Sequence, residues 1–496
     1  MSAFLYALLF LIPANLAINP GLRIRITQDG LNYANSVGVD IISTTIKNTR
    51  IPDISGEGKD IKYTLTSLII KNFRPPNSAI TLASESDLQW RAVNTGLELD
   101  GKFTYKYKKG LIKLSGHGGF NLKFSDISFN VEIQVGVNTA SGKPTIRTAQ
   151  CSCNSGPVKI KFSGAWSWIY NLFSGIVEKK IGDIFQSKIC DIIQNVINKD
   201  AEASLETMKV EVNLGRLFTL NYKLLAAPKV TSEFIEGDFK GEIFWKSDKT
   251  EAPFSPDEMA TITDTQKMVY LTLSDYVFNT WTYQAHKHEL LAFNLTTQNI
   301  KNNKNVLNTT CSGICIGKLI PQIGKTFPNC TVELQMKTTE APLTQITPGV
   351  IGVSVEGNIR LYARKLDHSL HYLFTIFAKA EASVVLTMTD GVLYGKLDKS
   401  EMKTNVTDTA IGQINEKALQ FLVDSAIKTT ITPKINELGA QGFPLPSTDN
   451  LQFKRSDLKL LQNTILIETD LKYIPDPTRS KTTVLKFVPR SERLSV

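Results

Sequence analysis

Only six of the 496 residues are cysteine and only five are histidine. So thin a cysteine set excludes a small disulfide scaffold, and any bridges would staple cores that apolar burial already supports. Hydrophobic residues make up 42% and charged residues 21% of the chain, a balance that argues against both a membrane bundle and extended disorder. A nucleophile elbow is also missing. The nearest match, Gly352-Val353-Ser354-Val355-Glu356-Gly357, has one residue too many and lies on an alternating, strand-like segment. With histidines only at 117, 286, 288, 368 and 371, a Ser-His-acid site has few candidates, so no catalytic residue is assigned and the chain does not read as an enzyme. The pairs His286/His288 and His368/His371, with Cys311 and Cys315 nearby in sequence, have no specific metal spacing; surface histidines and a disulfide account for them better than a metal site.

What is present begins with an uncharged apolar run from Phe4 to Ile12, followed by Pro13 and small residues at Ala14 and Ala17. Such a run is too short to span a bilayer and reads as a secretory signal peptide over residues 1–17. Four Asn-x-Ser/Thr sequons, at Asn294, Asn308, Asn329 and Asn405, fit passage through the secretory pathway as candidate glycosylation sites. The expected location is therefore extracellular.

The formal net charge is +9, and the excess is local: residues 101–200 carry 14 Lys+Arg against six Asp+Glu. A local basic surface calls for an anionic partner. Nucleic acid is not the partner expected, because no recognition helix or RNA-binding motif accompanies the charge.

Length alone predicts two or three compact units. Lys102–Lys108 alternates lysine with aromatic residues, and Phe129–Val135 alternates apolar with polar ones, which predicts strands with one buried face. Val353–Ile359 and Val384–Met388 repeat the pattern in the second half. Between the strands of the first half, apolar residues from Trp168 to Val196 recur at three- and four-residue steps, an amphipathic helix that must cover a sheet or groove. A second such stripe runs from Ile411 to Ala426, with Pro433 and Pro444 expected to end it. Asn221–Pro228 reads as strand-like, and the proline- and charge-bearing stretch after Lys246 as a linker. These signals divide the chain into a signal (1–17), an N-terminal unit (18–245), a linker (246–260), a C-terminal unit (261–474) and a basic flexible tail (475–496).

An ordered set of landmarks runs through both halves. These are Asn19-Pro20-Gly21, Ile51-Pro52-Asp53, Ser141 to Ile146, Ser167 to Phe173, Leu273 to Thr280, Phe327-Pro328-Asn329 and Gly442 to Pro446. Their order and spacing make the chain resemble the bactericidal/permeability-increasing, lipopolysaccharide-binding and plasma lipid-transfer proteins from about Asn19 to Ile474. The resemblance implies an α+β fold: two pseudo-symmetric barrels of twisted antiparallel sheet, each wrapped around a long helix and joined by a central sheet into a boomerang. It also implies a bound phospholipid in each half in place of a cofactor, with lipopolysaccharide and the bacterial outer membrane surface as partners.

The family's disulfide maps onto Cys190 and either Cys151 or Cys153, Cys151 fitting the spacing better, while Cys311, Cys315 and Cys330 stay unassigned. Its lipopolysaccharide contacts map onto Lys59, Lys62, Lys102, Lys106, Lys108, Lys109 and Lys113, although a lysine–aromatic alternation also fits a plain solvated face over a core stripe. The function expected is lipopolysaccharide binding in innate defence. The alternatives are transfer of phospholipid or sterol ester without an antibacterial role and, in a different class, lipid-ester hydrolysis.

Overall fold

The computed structural model describes residues 19–47, 51, 53–58, 60–83, 87–163, 174–298, 304–445 and 450–474. The expected signal, the basic tail, Lys59 and the aromatic landmark at 167–173 lie outside the described residues.

Strand β1 (Leu22–Thr27) leads directly into helix α1 (Gln28–Lys47). This helix is rich in glycine and β-branched residues, poor helix formers, so propensity does not announce it and packing holds it. Leu31 is buried, Asn35 Oδ1 accepts from Trp90 Nε1 at 3.0 Å, and a Cβ on Gly30 would sit 2.7 Å from the Met268 carbonyl oxygen. Next come β2 (Ile54–Glu57), β3 (Ile61–Arg74), β4 (Asn77–Leu82), β5 (Asp87–Lys109), β6 (Ile112–Asn138), β7 (Lys143–Asn154) and β8 (Val158–Ser163). They form one antiparallel sheet of order β2-β3-β5-β6-β7, with β4 beside β5 and β8 beside β6. Helix α2 (Ser174–Asn195) lays Val177 and Ile181 into the sheet's core, where Phe124, Leu122 and Phe103 are also buried. It continues through a π-helical segment, Val196–Ala201, into α3 (Glu202–Glu206). The Cys151–Cys190 disulfide ties β7 to α2 across 39 residues.

After α3, strands β9 (Glu211–Leu214) and β10 (Phe218–Asn221) start a small sheet. The strand expected over Asn221–Pro228 is not formed beyond Asn221: the Asn221 side chain accepts from the Lys223 N–H, turning the chain, and only an isolated bridge, Leu224 to Phe239, follows. Then come β11 (Lys229–Val230), β12 (Phe234–Phe239) and β13 (Glu242–Trp245), the last completing the small sheet.

In the second half, β14 (Val269–Ser274) and helix α4 (Tyr276–Lys287) precede β15 (Ala292–Leu295). Short helices α5 (Ile316–Leu319) and α6 (Pro321–Thr326) follow the Cys311–Cys315 disulfide. Strands β16 (Thr331–Thr338), β17 (Leu343–Thr347), β18 (Val350–Arg364), β19 (Leu370–Thr389) and β20 (Val392–Thr409) come next. They lead to helices α7 (Glu416–Ala426) and α8 (Thr432–Gly439), then β21 (Phe443–Pro444). The sheet order β15-β16-β18-β19-β20-β21 repeats the plan of the first half, and a π-helical segment, Ile427–Ile431, again interrupts the long helix.

Two expectations for this helix are corrected. It starts at Glu416, capped by the Asn415 side chain, so Ile411 and Ile414 lie in the preceding loop. Nor does Pro433 end it: the helix runs on through the π-helical segment Ile427–Ile431, and the proline falls at the second residue of α8.

Strands β22 (Leu451–Leu461) and β23 (Thr464–Tyr473) close a central sheet of order β11-β12-β1-β14-β23-β22, which draws strands from both halves. The fold is therefore α+β, two curled antiparallel sheets on long helices joined by a shared sheet. In that shared sheet Arg25 and Glu236, both nearly buried, pair at 2.6 Å; Arg25 also lies 3.7 Å over the Phe234 ring and donates to the Ile262 carbonyl.

Candidate functional site

Leu88, Trp90 and Ala92 at the start of β5 pack with Val230 and Ile235 of the shared sheet, and the opposite end of β5 is built into the β5–β6 hairpin beside the β2–β3 turn. Strand β5 ends at Lys109 and β6 begins at Ile112, leaving the two-residue turn Gly110-Leu111. Gly110 has φ +58°, the positive φ that a tight hairpin demands and glycine supplies cheaply. A Cβ there would meet nothing within 4 Å, so the turn stands in open space.

The register sorts the side chains by face, as strand geometry requires. Phe103 and Tyr105 are buried in the core beneath the sheet, and Tyr107 is half-buried beside them. On the opposite face Lys102, Lys106 and Lys108 are exposed. Lys62 stands directly across from Lys106, and Lys113 directly across from Lys108, so lysines of three strands share one outer patch. Lys109, opposite Ile112 on the last rung before the turn, lies on the other face. Lys62 is engaged by Glu57 at 3.0 Å, both side chains being largely solvated, a contact of little energetic weight.

Three further lysines join the outer face, beyond the reach of alternation along a single strand. Lys123 lies opposite Lys159, and Lys161 opposite Asn121, on β6 and β8. All three are exposed. From Gly101 to Ser125 the chain contains six lysines and no acid. Glu98, across from Lys123, and Asp100, across from Asn121, lie on the same rungs as Lys123, Lys159 and Lys161, both accepting from the Asn121 amide, while Lys71 holds Asp100 at 3.1 Å. These hydrogen bonds, the Asn121 amide first and then the ammonium, lower the Asp100 carboxyl below its ordinary range.

The same hairpin exposes apolar residues the alternation did not flag. Leu111 is 100%, Ile112 57% and Leu114 37% solvent-exposed. Leu114 sits across from Tyr107, so these residues continue the core stripe into the exposed end of the hairpin.

Elsewhere three of the histidines pack against structural neighbours. His286 Nδ1 lies 2.7 Å from Thr338 Oγ1, His288 stacks on Trp245 beside Asp248, and His371 contacts Ser369 and Phe327. Among the described residues no group of three His, Cys, Asp or Glu could hold a metal. Ser354 lies within β18 between Leu343 and Glu381, where its register neighbours supply no histidine. A depression of about 600 Å³ on the C-terminal sheet is lined by both apolar and polar residues, among them Leu343, Val353, Ser354, Ser383, Glu381 and Lys399. The sequon residues Asn294, Asn329 and Asn405 are exposed and Asn308 is half-buried.

The LBP / BPI / CETP family N-terminal domain matches residues 30–207, and that family's C-terminal domain matches residues 213–473. The chain is 28% identical over 479 residues to the lipopolysaccharide-binding protein of Homo sapiens, covering 95% of this chain and 98% of that one. It is 27% identical over 473 residues to the bactericidal permeability-increasing protein of Sebastes schlegelii, covering 94% and 98%. The crystal structure of a lipopolysaccharide binding protein superposes with a TM-score of 0.66 at 24% identity, covering 92% of this chain and 100% of that chain.

Proposed function

The chain belongs to the LBP / BPI / CETP family, and from that premise we propose that it is a secreted lipid-binding protein of innate defence. In this reading it binds lipopolysaccharide through the basic end of its N-terminal half, residues 18–245, and holds phospholipid in both halves. The observation that carries the reading is the acid-free stretch of β5 and β6. It puts Lys102, Lys106, Lys108 and Lys113 on one exposed face, with Lys62 beside them. Lipid A presents phosphates above acyl chains, and each exposed lysine contributes on the order of 1 kcal/mol near such a surface, decaying over a Debye length of about 8 Å. Several lysines acting together are required, and the register supplies them. The relatives named for lipopolysaccharide binding support the same partner.

Lipid transfer without an antibacterial role is the second reading, and it rests on helix residues left uncovered. Phe421 on α7 and Ile435 on α8 are exposed although both helices lie along their sheet. Exposed apolar side chains of that kind suit contact with an acyl chain.

Titration of the purified chain against lipopolysaccharide and against neutral phosphatidylcholine vesicles separates the two. Defence requires tight, salt-sensitive binding to lipopolysaccharide and weak binding to the neutral vesicles. Equal binding to both favours transfer, and no binding to lipopolysaccharide overturns the first reading.

A further inference from the structure

We propose that the β5–β6 turn is an apolar wedge that enters the acyl layer beneath an anionic lipid surface, while the lysines on either side stay with the headgroups. The inference rests on the lipid-surface reading above and specifies how that surface is engaged.

Exposure climbs steadily along the hairpin: Phe103 is 1% and Tyr105 4% exposed, then Leu114 37%, Ile112 57% and Leu111 100%. A single exposed leucine is ordinary on any protein. Here the register places Ile112 across from Lys109 and Leu114 across from Tyr107, so a core-facing stripe runs off the end of the sheet into solvent. Ile176, at the start of α2, is also exposed and lies against Gly58 in the β2–β3 turn, extending the apolar surface at this end.

Charge decides the partner. Lys108 and Lys113 sit directly across from one another one step behind the apex, and Lys109 flanks Leu111 and Ile112. Glu57 is occupied by Lys62, and Asp60 is the nearest remaining acid in the β2–β3 turn, its carbonyl accepting from the Lys108 N–H. A protein partner would meet this apex with a matching apolar pocket. A ring of flexible lysines behind a two-residue apolar point fits instead a surface that is charged outside and apolar a few ångströms deeper.

The pseudo-equivalent hairpin, β18–β19, also exposes a leucine, Leu366, at 88%. Its turn carries Asp367, and its Arg364 is taken up by Glu333. It therefore serves as the control.

The test uses the full chain with vesicles of phosphatidylglycerol and of phosphatidylcholine. The double substitution Leu111→Asn with Ile112→Thr keeps turn and strand preferences while removing the apolar apex. Near 0.5 M salt, where the Debye length is about 4 Å and the lysines contribute little, binding of the double variant to phosphatidylglycerol vesicles should fall at least about tenfold below the parent. Leu366→Asn should change it less than about twofold. Leu111→Trp should gain emission that acyl-brominated lipid quenches beyond the parent's own tryptophan signal. Parent-like binding of the folded double variant, together with unquenched emission from the tryptophan introduced by Leu111→Trp, overturns the wedge and leaves the lysine reading standing. An equal loss from Leu366→Asn overturns the assignment to this tip. Failure of the parent to bind either phosphatidylglycerol or lipopolysaccharide overturns both.

Discussion

Glu236 shows how much a single side chain can hold in this molecule. Its carboxylate accepts from Arg25 Nε at 2.9 Å and Nη2 at 2.6 Å, within a sheet that joins the two halves. Removing one partner of a buried pair strands the other charge, so Glu236→Ala should lower unfolding free energy by about 3 kcal/mol. The double substitution Arg25→Met with Glu236→Leu should recover most of that loss, because an apolar pair leaves no orphan charge. Denaturant titration of the three proteins measures it. A cost below about 1 kcal/mol for Glu236→Ala would mean that solvent reaches the pair.

Cys153 offers a second residue-scale test. Two disulfides leave Cys153 and Cys330 as free thiols, and burial raises the Cys153 thiol to about 11. At pH 8 an ordinary thiol is about a quarter ionised, whereas one at that value is ionised to roughly one part in a thousand. Alkylation of Cys153 by iodoacetamide should therefore run about two orders of magnitude slower than that of a free peptide thiol and accelerate through pH 10. Peptide mapping over time reads the rate. Alkylation at peptide speed would show that the Cys153 side chain is not held against the core.

At the scale of the element, the β5–β6 hairpin concentrates the function proposed for this chain. Reversing Lys102, Lys106 and Lys108 to Glu should weaken lipopolysaccharide binding at least tenfold, or about 1.4 kcal/mol. The loss should shrink as salt rises, because screening removes the lysines' contribution from the parent as well. All three are exposed, and such substitutions shift stability by less than about 0.5 kcal/mol each. A folded triple variant that binds as its parent does would move the site off this patch.

The hairpin also shows what strand periodicity can and cannot carry. Alternation from Lys102 to Lys108 locates the strand and puts lysines and aromatics on opposite faces, because successive side chains point oppositely. Lys123, Lys159 and Lys161 escape it, since β6 and β8 bring them to the patch from distant parts of the chain. Helix α1 gives no clear signal for another reason: its glycines and β-branched residues are helical only because β4 and Trp90 pack against them. Pro433 misleads in the opposite direction, because a proline one residue into a new helical segment resembles a terminator when the π-helical segment before it is not visible.

Over the whole molecule, the shared sheet binds β1 and β12 from the first half to β14, β22 and β23 from the second, so each half has the same neighbour for its inner end. Both halves lay a long helix, interrupted by a π-helical segment, along a curled sheet. If both hold lipid, protein purified from a eukaryotic host should release phospholipid on solvent extraction, up to one molecule per half. Native and denaturing mass spectrometry together count it. Lipid-free protein with both grooves closed in an experimental structure would sink the idea.

The sequence by itself determined the α+β class, the strand faces, the two long apolar helix stripes, the family and the lysine cluster on β5. All of these are periodicities or ordered landmarks that a linear chain carries locally. Tertiary structure alone decided which lysines share a surface, that Cys311 closes on Cys315, and that Leu114, Ile112 and Leu111 at the end of the hairpin are exposed. The physical reason is that alternation states which side chains share a face. Whether that face is covered depends on what packs against it in three dimensions, and at the last turn of this hairpin Leu111 and Ile112 are left exposed.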